Sequence, residues 1–327
     1  MTHTIGCDVS KTKLDFAVMD AGQHVQDTFT SSNDTKGHAE AIERLAPFKE
    51  GACVIIEATS SYHVKLALAL REAGFVVFVI NPIITRKHAS AGIRKTKTDR
   101  VDAKLLAKVG LLEPELKLFQ ETRMDMEKKC LSQAIAKLKC ARRKMTQRIH
   151  QLDDMRDVYG SSGATILLSL KNVTESLDTA IEKLKQRLGA MVKEEAAIVA
   201  SIPGVGIGTA AQIVAELGDI SRFHDRNQVT AFAGLDPSIR ESGSSIRGRS
   251  RITKRGSPEL RGILGQAAWG VMMHNPMFKT YYQKKKSEGK HYFTILVAMA
   301  KKLLLIIYSM LKSKTSYDPS RYPQLVA

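Results

Sequence analysis

The chain has 327 residues, with apolar and charged fractions of 43% and 25% that are ordinary for a folded protein. That length holds a sizeable core and two domains or more, and four cysteines (Cys7, Cys53, Cys130 and Cys140) are too few and too scattered for a disulfide framework or a C-x-x-C zinc pair. The 50 Lys and Arg against 33 Asp and Glu leave a formal charge of +17, which favours a polyanionic partner, nucleic acid ahead of an anionic membrane surface.

Residues 1–110 read as alternating strands and helices. "HTIGCDV" is a short apolar strand. "KLDFAVMD" is a second, in which Leu14, Phe16 and Val18 alternate with the polar Asp15, and "HVQDTFT" reads as a third. Helical spacing of Ala39, Ile42 and Leu45 runs through "TKGHAEAIERLAPF". "ACVIIEA" (52–58) is the β-branched run of a buried central strand. A helix "HVKLALALREAG" ends at Gly74, and "FVVFVINP" is a buried strand stopped by Pro82. The order β-β-β-α-β-α-β predicts an α/β domain with a mixed sheet. Cys7 and Cys53 lie in apolar runs and are expected to be core thiols in a reducing cytoplasm. "MTHTIGCDVS" lacks the apolar region of a signal peptide.

From 115 to 195 the pattern changes. Ile135, Leu138, Met145, Ile149 and Leu152, then Leu170, Val173, Leu177, Leu184, Leu188 and Met191, recur at three-, four- and seven-residue intervals. "YGSSG" (159–163) separates the two runs, predicting an antiparallel helical hairpin or coiled-coil arm for spacing or dimerisation. Residues 196–327 read as a basic, mainly helical unit. "IPGVGIGTAAQIVAEL" (202–217) has the pattern of a helix-hairpin-helix element, in which Gly204 and Gly206 permit a tight turn and a helix N-terminus can face a phosphate. A glycine-capped helix junction is the plainer alternative. "FTILVAMAKKLLLIIYSML" (293–311) is interrupted by Lys301 and Lys302, which predicts a buried amphipathic helix and no membrane span. Trp269 and Tyr281–Tyr282 are expected in the core, Tyr62 is expected to pack, His63 to start a helix, and "QKKKSEGK" (283–290) to be a solvated loop.

The stretch "RKTKTDRVDAKLLAK" seats Asp99 and Asp102 among Arg94, Lys95, Lys97, Arg100 and Lys104. At i and i+3 a helix puts both acids on one face. Asp8 ends the first strand and Glu57 the long buried one, and carboxyl ends of neighbouring strands in an open sheet converge on one crevice. Four carboxylates that converge stay ionised only if cations neutralise them, and sulfur-free oxygen ligands favour Mg²⁺ or Mn²⁺. Singly, each acid has a plainer reading: Asp8 as a turn residue, Glu57 as a solvated strand end, Asp99 as a helix cap. "IGCDVSKTKLDFAVMD" also begins like the phosphate hairpin of sugar kinases and actin-like ATPases, but the second glycine-rich hairpin of that class, D-x-G-G-T or close to it, is absent from the sequence.

The segments "IGCDVSKTKLDFAV", "IIEATSSYH", "RKTKTDRVDAKLLA", "SIPGVGIGTAAQIVAELGDISRF" and "AFAGLDPSIRESGSSIRGRSRITKRGSPELRGIL", in this order, resemble the DEDD family of insertion-sequence transposases and pilin-gene invertase (Piv-like) recombinases. The resemblance spans nearly the whole chain. It implies a fold of α/β plus all-α type: a RuvC-like (ribonuclease-H-type) catalytic domain at 1–114, a coiled-coil arm at 115–195 and a C-terminal transposase domain at 196–327. It also implies an Mg²⁺-binding tetrad at Asp8, Glu57, Asp99 and Asp102, and a serine nucleophile that falls on Ser242, with Ser244 and Ser245 near enough to leave the register open. Rejoining strands without outside energy suits a covalent serine ester, which keeps the phosphodiester bond energy. Arg240, Arg247, Arg249, Arg251, Lys254 and Arg255 flank the serines and suit phosphate oxygens, as do Arg94, Lys95, Lys97 and Arg100. The expected partners are double-stranded donor and target DNA, a structured noncoding guide RNA, and further copies of the chain in a dimer or tetramer. The expected site of action is the bacterial cytoplasm, at the nucleoid. The alternatives are a site-specific invertase, a hydrolytic RuvC-like junction nuclease that needs the tetrad and no serine, and a nucleic-acid-binding protein without activity.

Overall fold

The computed structural model describes residues 2–58, 61–89, 99–113, 116, 118–238 and 251–322, with the backbone alone for Ala89, Asp99, Arg100, Val101, Ser238 and Arg251. The chain divides into two compact units, Met1–Arg123 and Met124–Ala327.

The first unit is built on five strands: β1 (His3–Val9), β2 (Lys13–Asp20), β3 (Val25–Ser32), β4 (Ala52–Glu57) and β5 (Val76–Ile80). Their order is β3-β2-β1-β4-β5. β2 runs antiparallel to β1 and β3, while β1, β4 and β5 are mutually parallel. This is the ribonuclease-H arrangement of strands, and it matches the order read from the sequence. The two parallel crossovers carry α1 (Thr35–Leu45) and α2 (His63–Glu72). Asp34 caps α1 by accepting from the Gly37 amide.

Side-chain parity decides which face each residue covers. Ile5, Cys7, Val9, Leu14, Phe16, Val18, Val54 and Ile56 meet α1 and α2 through Ala41, Leu45, Leu66, Ala67 and Leu70. The opposite parity carries Thr4, Gly6 and Asp8 on β1 and Cys53, Ile55 and Glu57 on β4. That face is covered by α4 (Asp99–Leu112), whose Leu106 and Val109 pack with Cys53, Ile55 and Ile80. Both faces of the sheet are therefore covered, which explains the unbroken apolar run of β4. Pro82 ends β5 as expected and also opens a helix, α3 (Pro82–Ala89), that the sequence reading did not include.

The second unit is helical. α5 (Arg123–Asp154) and α6 (Arg156–Met191) are 32 and 36 residues long. Arg187 pairs with Glu127, and Arg142 with Asp178 at 2.5 Å, so the two helices run antiparallel. The chain leaves the helix at Met155 and is interrupted again at Gly160, at φ 54°, which lies within the expected "YGSSG" break.

α7 (Lys193–Ala200), α8 (Ile207–Leu217), α9 (Arg226–Ala233), α10 (Pro258–His274), α11 (Pro276–Ser287) and α12 (Tyr292–Ser313) follow, with a two-residue ladder of β6 (Pro237–Ser238) and β7 (Arg251–Ile252). α12 is long and apolar enough to cross a membrane. Its Met299, Leu303, Leu304 and Ile307 are instead fully enclosed in the core of this unit, with Ile213, Val229 and Leu264.

Three expectations about single residues need correction. Trp269 is 54% exposed, because α10 turns its apolar stripe of Leu260, Leu264, Ala267, Ala268 and Val271 inward and leaves position 269 outside. Tyr62 is exposed at the start of α2, and residues 283–287 of "QKKKSEGK" continue α11. Cys7 and Cys53 are buried, as expected.

Candidate active site and nucleic-acid interface

Asp8 and Glu57 follow Cys7 and Ile56, which are partners in the parallel β1–β4 ladder. They therefore extend the same two strands side by side at their carboxyl ends, on the face that α4 covers. Both are half-buried. Gly6 fixes how α4 lies there. A Cβ at Gly6 would run into the backbone oxygen of Ala103 and the backbone nitrogen of Ala107, so the helix backbone rests directly on β1. Two residues earlier on β1, Thr4 meets Gly110, about one turn further along the helix, and Gly110 also lies against Ile55. α4 thus runs opposite to β1, and its first turn, Asp99 to Asp102, lies toward the end of β1 that carries Asp8. Asp102 is half-buried in that turn. Asp99 is the residue at which α4 begins.

The loops at this edge are tied together by Asn33. Its Nδ2 donates to the Ser10 carbonyl at 2.8 Å and the Tyr62 carbonyl at 3.3 Å, and its Oδ1 lies 2.9 Å from His38 Nε2. Burial holds the His38 imidazole below its ordinary pKa. This network joins the turn after Asp8 to the segment before His63, which opens α2 as expected.

One acid escaped the sequence reading. Asp15 is directly opposite Asp8 in the β1–β2 ladder and is only 3% exposed. Alternation with Leu14 and Phe16 suggests a solvent-facing residue, but the face it occupies lies under α4. Lys13 Nζ is 2.8 Å from Asp15 Oδ2, and the Thr30 hydroxyl donates to Oδ1 at 3.0 Å. Burial pushes the Cys7 thiol far up, and the charges of Asp8 and Asp15 add to this, so Cys7 is an inert core group.

The fit to a divalent ion is one of donor chemistry. Asp8, Glu57 and Asp102 supply oxygen and no sulfur, the donor set of a hard cation, and each is half-buried rather than sealed. Among the described residues no three His, Cys, Asp or Glu side chains enclose a metal position. Asp99, the fourth acid singled out by the sequence, lies outside that comparison because its side chain is not described.

In the second unit the two glycines of "IPGVGIG" do different things. Gly204 has φ +95°, and a Cβ there would strike the backbone of Gly270 on α10. It is a packing contact between a turn and a helix. Gly206 precedes α8 in extended backbone, with open space where its Cβ would be, so the N-terminal amides of α8 are the part of this element left to face a ligand.

Ser242 lies outside the described residues, as do Arg94, Lys95, Lys97, Arg240, Arg247 and Arg249; the side chains of Arg100 and Arg251 do too. Where the segment returns at β7, it is firmly held. Thr253 N–H donates to the Asp236 carbonyl at 2.9 Å and its hydroxyl to the Asp236 carboxylate at 2.5 Å. Lys254, at φ +56°, donates its N–H to the Gly234 carbonyl at 3.2 Å. A Cβ on Gly256 would collide with the backbone of Phe232 and Gly234. Lys254 and Arg255 themselves are exposed. Nearby, the Arg222 guanidinium stacks on Phe223 and Phe232 at 4.7 and 4.5 Å from the ring centres.

A ribonuclease-H strand order with acids at adjacent strand ends, in a chain of formal charge +17, fits the class of enzymes that cut nucleic acid. The family follows from comparison with known proteins. Residues 5–155 match the IS110-type DEDD model described as "Transposase", and residues 196–283 match the model described as "Transposase IS116/IS110/IS902 family". The chain belongs to the DEDD-type family of insertion-sequence transposases and pilin-gene invertases. It is 28% identical to the pilin gene-inverting protein of Moraxella bovis, over 96% of this chain and 97% of that one. It is 25% identical to the transposase for insertion sequence element IS1111A of Coxiella burnetii, over 85% of this chain and 82% of that one. Among solved structures, Thermus thermophilus RuvC with a Holliday junction substrate matches 36% of this chain and all of its own, at 16% identity and a TM-score of 0.29. At that score the likeness carries no weight beside the strand order itself.

Proposed function

We propose that the chain is the DNA transposase of an insertion element, cutting and exchanging strands through a metal-binding tetrad and a serine nucleophile. One observation supports this above the others: Asp8 and Glu57 end adjacent parallel strands on one face, and α4 lies on that face with its first turn, Asp99 to Asp102, at the same end. In this reading Asp8, Glu57, Asp99 and Asp102 hold Mg²⁺, or Mn²⁺ in its place. When bound, such ions stabilise charge on the attacking and leaving oxygens of a phosphodiester.

The serine is assigned to Ser242. Its oxygen forms a bond to phosphorus as the bond to the leaving sugar oxygen breaks, so the ester energy stays available for rejoining. Arg240, Arg247, Arg249, Arg251, Lys254 and Arg255, with Arg94, Lys95, Lys97 and Arg100, contact phosphate, as do the free amides beside Gly206. Donor and target duplexes are selected by a structured noncoding RNA, and two or four copies of the chain act together at the nucleoid. The parts are the catalytic domain 1–114, the arm 115–195 and the serine-bearing domain 196–327. A second reading, site-specific inversion, is favoured by the end-to-end match to a pilin gene-inverting protein. The DNA flanking the gene separates the two: a noncoding segment at a mobile-element boundary supports transposition, and an invertible segment supports inversion.

The test is a pair of variants assayed with the RNA transcribed beside the gene and DNA carrying the element's end. Asp102→Asn is expected to lose strand cleavage by about 10⁴-fold or more, and Ser242→Ala to lose the denaturant-stable protein–DNA adduct and strand exchange. A hydrolytic nuclease would keep cutting with Ser242→Ala. Strand exchange by Asp102→Asn would overturn the proposal altogether.

A further inference from the structure

We infer that Trp269 is a stacking platform for an unpaired base of the DNA strand; this rests on the reading of the chain as a DNA recombinase proposed above. It adds a binding residue outside both the tetrad and the serine segment. Trp269 is the chain's one tryptophan and stands 54% exposed on α10. Gly262, Gln266, Trp269 and Met273 are all exposed and follow at intervals of four, three and four, so they form one ridge on the outer side of the helix. None of the four carries a charge. Single exposed apolar side chains are ordinary, but an indole and a methionine one turn apart on one ridge make a patch, and patches mark binding surfaces. The glycines of α10 agree with this. Gly270 is required by the fold itself, since a Cβ there would strike the Gly204 carbonyl oxygen. Gly262 and Gly265 meet open space, so no packing in the described fold requires them, although glycine weakens a helix interior relative to alanine. Gly265 lies one turn before Trp269 and leaves the helix backbone uncovered beside the indole.

Charge decides the kind of partner. From Ser242 to Ser287 the sequence has ten Lys and Arg and a single acid, Glu259. Glu259 lies in the first turn of α10, where a carboxylate complements the helix dipole, so the one acid has a structural reason to be there. Lys254 and Arg255, both exposed, lead into α10 through Ser257, which caps the helix by accepting from the Leu260 amide. Trp269 sits about 16 Å beyond the first residue of that helix. Such a surface repels a second copy of the same basic chain and attracts a polyanion. The uncharged part of a nucleic acid is the face of its bases, and an exposed indole in basic surroundings stacks on it. A base inside a duplex has both faces covered by its neighbours, so the platform calls for an unpaired base, of the kind exposed where strands are cut and exchanged. The strand is DNA because the basic run begins at the candidate serine, whose substrate in this reading is DNA.

With one tryptophan in the full chain, fluorescence excited beyond the tyrosine absorption reports this residue alone. The probes are a duplex with a short oligothymidylate tail, the same duplex with the tail paired, and an oligouridylate of the tail's length. Tailed DNA is expected to quench Trp269 saturably. The paired duplex is expected to bind, as read by anisotropy of a label on the DNA, without quenching. Trp269→Leu keeps apolar bulk and removes the π-face; it is expected to weaken binding of tailed DNA by about 10-fold and to leave the paired duplex unchanged. Trp269→Phe, with a smaller ring, is expected to recover most of that loss. Any of five results overturns the inference: tailed DNA that binds without quenching, a paired duplex that quenches as strongly, a folded Trp269→Leu that holds tailed DNA as tightly as the unaltered chain, stronger quenching by the oligouridylate, which gives the platform to RNA, or emission that shifts with protein concentration alone, which gives the ridge to a second copy. Quenching is measured on the unaltered chain, so it decides the matter even where a variant fails to fold. If both DNAs bind and Trp269 does not respond, the inference falls alone; if neither DNA binds, the DNA reading falls with it.

Discussion

Residues 2–123 set their candidate chemistry on a sheet, whereas residues 124–322 set theirs around a bounded segment. In the first unit Asp8 and Asp15 face each other across β1 and β2, and Glu57 follows Ile56, the β4 partner of Cys7, so their spacing follows from strand geometry alone. In the second, the candidate serine lies in 239–250, outside the described residues, and the described return at Thr253, Lys254 and Gly256 is held by hydrogen bonds and close backbone packing. Strand geometry thus fixes the spacing of the acids in the first unit, whereas in the second the described constraint falls on residues that follow the candidate serine.

Glycine substitutions should break this comparison most sharply. In the sheet unit Gly6→Ala drives a methyl into the backbone of Ala103 and Ala107, and backbone cannot rotate away as a side chain can. A loss of about 3 kcal/mol is expected, at the top of the range for overpacking, with loss of cleavage as α4 lifts from β1. Gly265→Ala, in the middle of α10 with open space at its Cβ, should instead gain about 0.5–1 kcal/mol from helix propensity. Urea midpoints for the two variants measure both. Equal and small effects would mean that α4 does not rest on β1 as described.

How much of this was legible in the sequence follows the same division. The β-branched run at 52–57 and the apolar parity of 3–9 announced the central strands, and their ends named Asp8 and Glu57 as neighbours before any coordinates. Asp15 was not legible, because polar–apolar alternation assigns one face to solvent and the sequence does not say that a later helix, α4, will cover it. Trp269 failed for the converse reason: the helical period places a residue on a stripe only once the stripe's centre is known. The break between the arm helices was legible in part: Gly160, inside "YGSSG", takes positive φ and interrupts the helix, while the additional break at Met155 had no glycine or proline to announce it. The serine's identity rested on a motif and not on physical chemistry, since serines are common in any polar loop.

Acids also separate the two units by their surroundings. Asp8, Glu57 and Asp102 are half-open, while Glu216 on α8 is 2% exposed. Burial raises the Glu216 pKa first, and Glu259 adds to it, against opposing contributions from Ser132, Lys129 and Ser257. The folded state then binds a proton that the unfolded state releases, so stability falls as pH climbs from the ordinary glutamate value through the raised one. Glu216→Gln removes that proton linkage. Its urea midpoint should match the wild type near pH 4 and exceed it increasingly toward pH 8. Parallel pH profiles for the two proteins would show that Glu216 ionises as freely folded as unfolded.

The smallest effect is expected in the arm. Arg142 and Asp178 meet across the helical hairpin at 2.5 Å, but both side chains are about half exposed, and water and salt screen such a pair. A double-mutant cycle with Arg142→Ala and Asp178→Ala should give a coupling of about 0.2–1 kcal/mol, falling further in 1 M salt. The register of α5 against α6 belongs instead to Ile135, Ile181 and Leu188, which are buried in the same core, where truncating one large aliphatic side chain typically costs about 2–5 kcal/mol. A coupling well above 1 kcal/mol that survives high salt would reverse that order and make charge, rather than apolar packing, the determinant of how the two helices align.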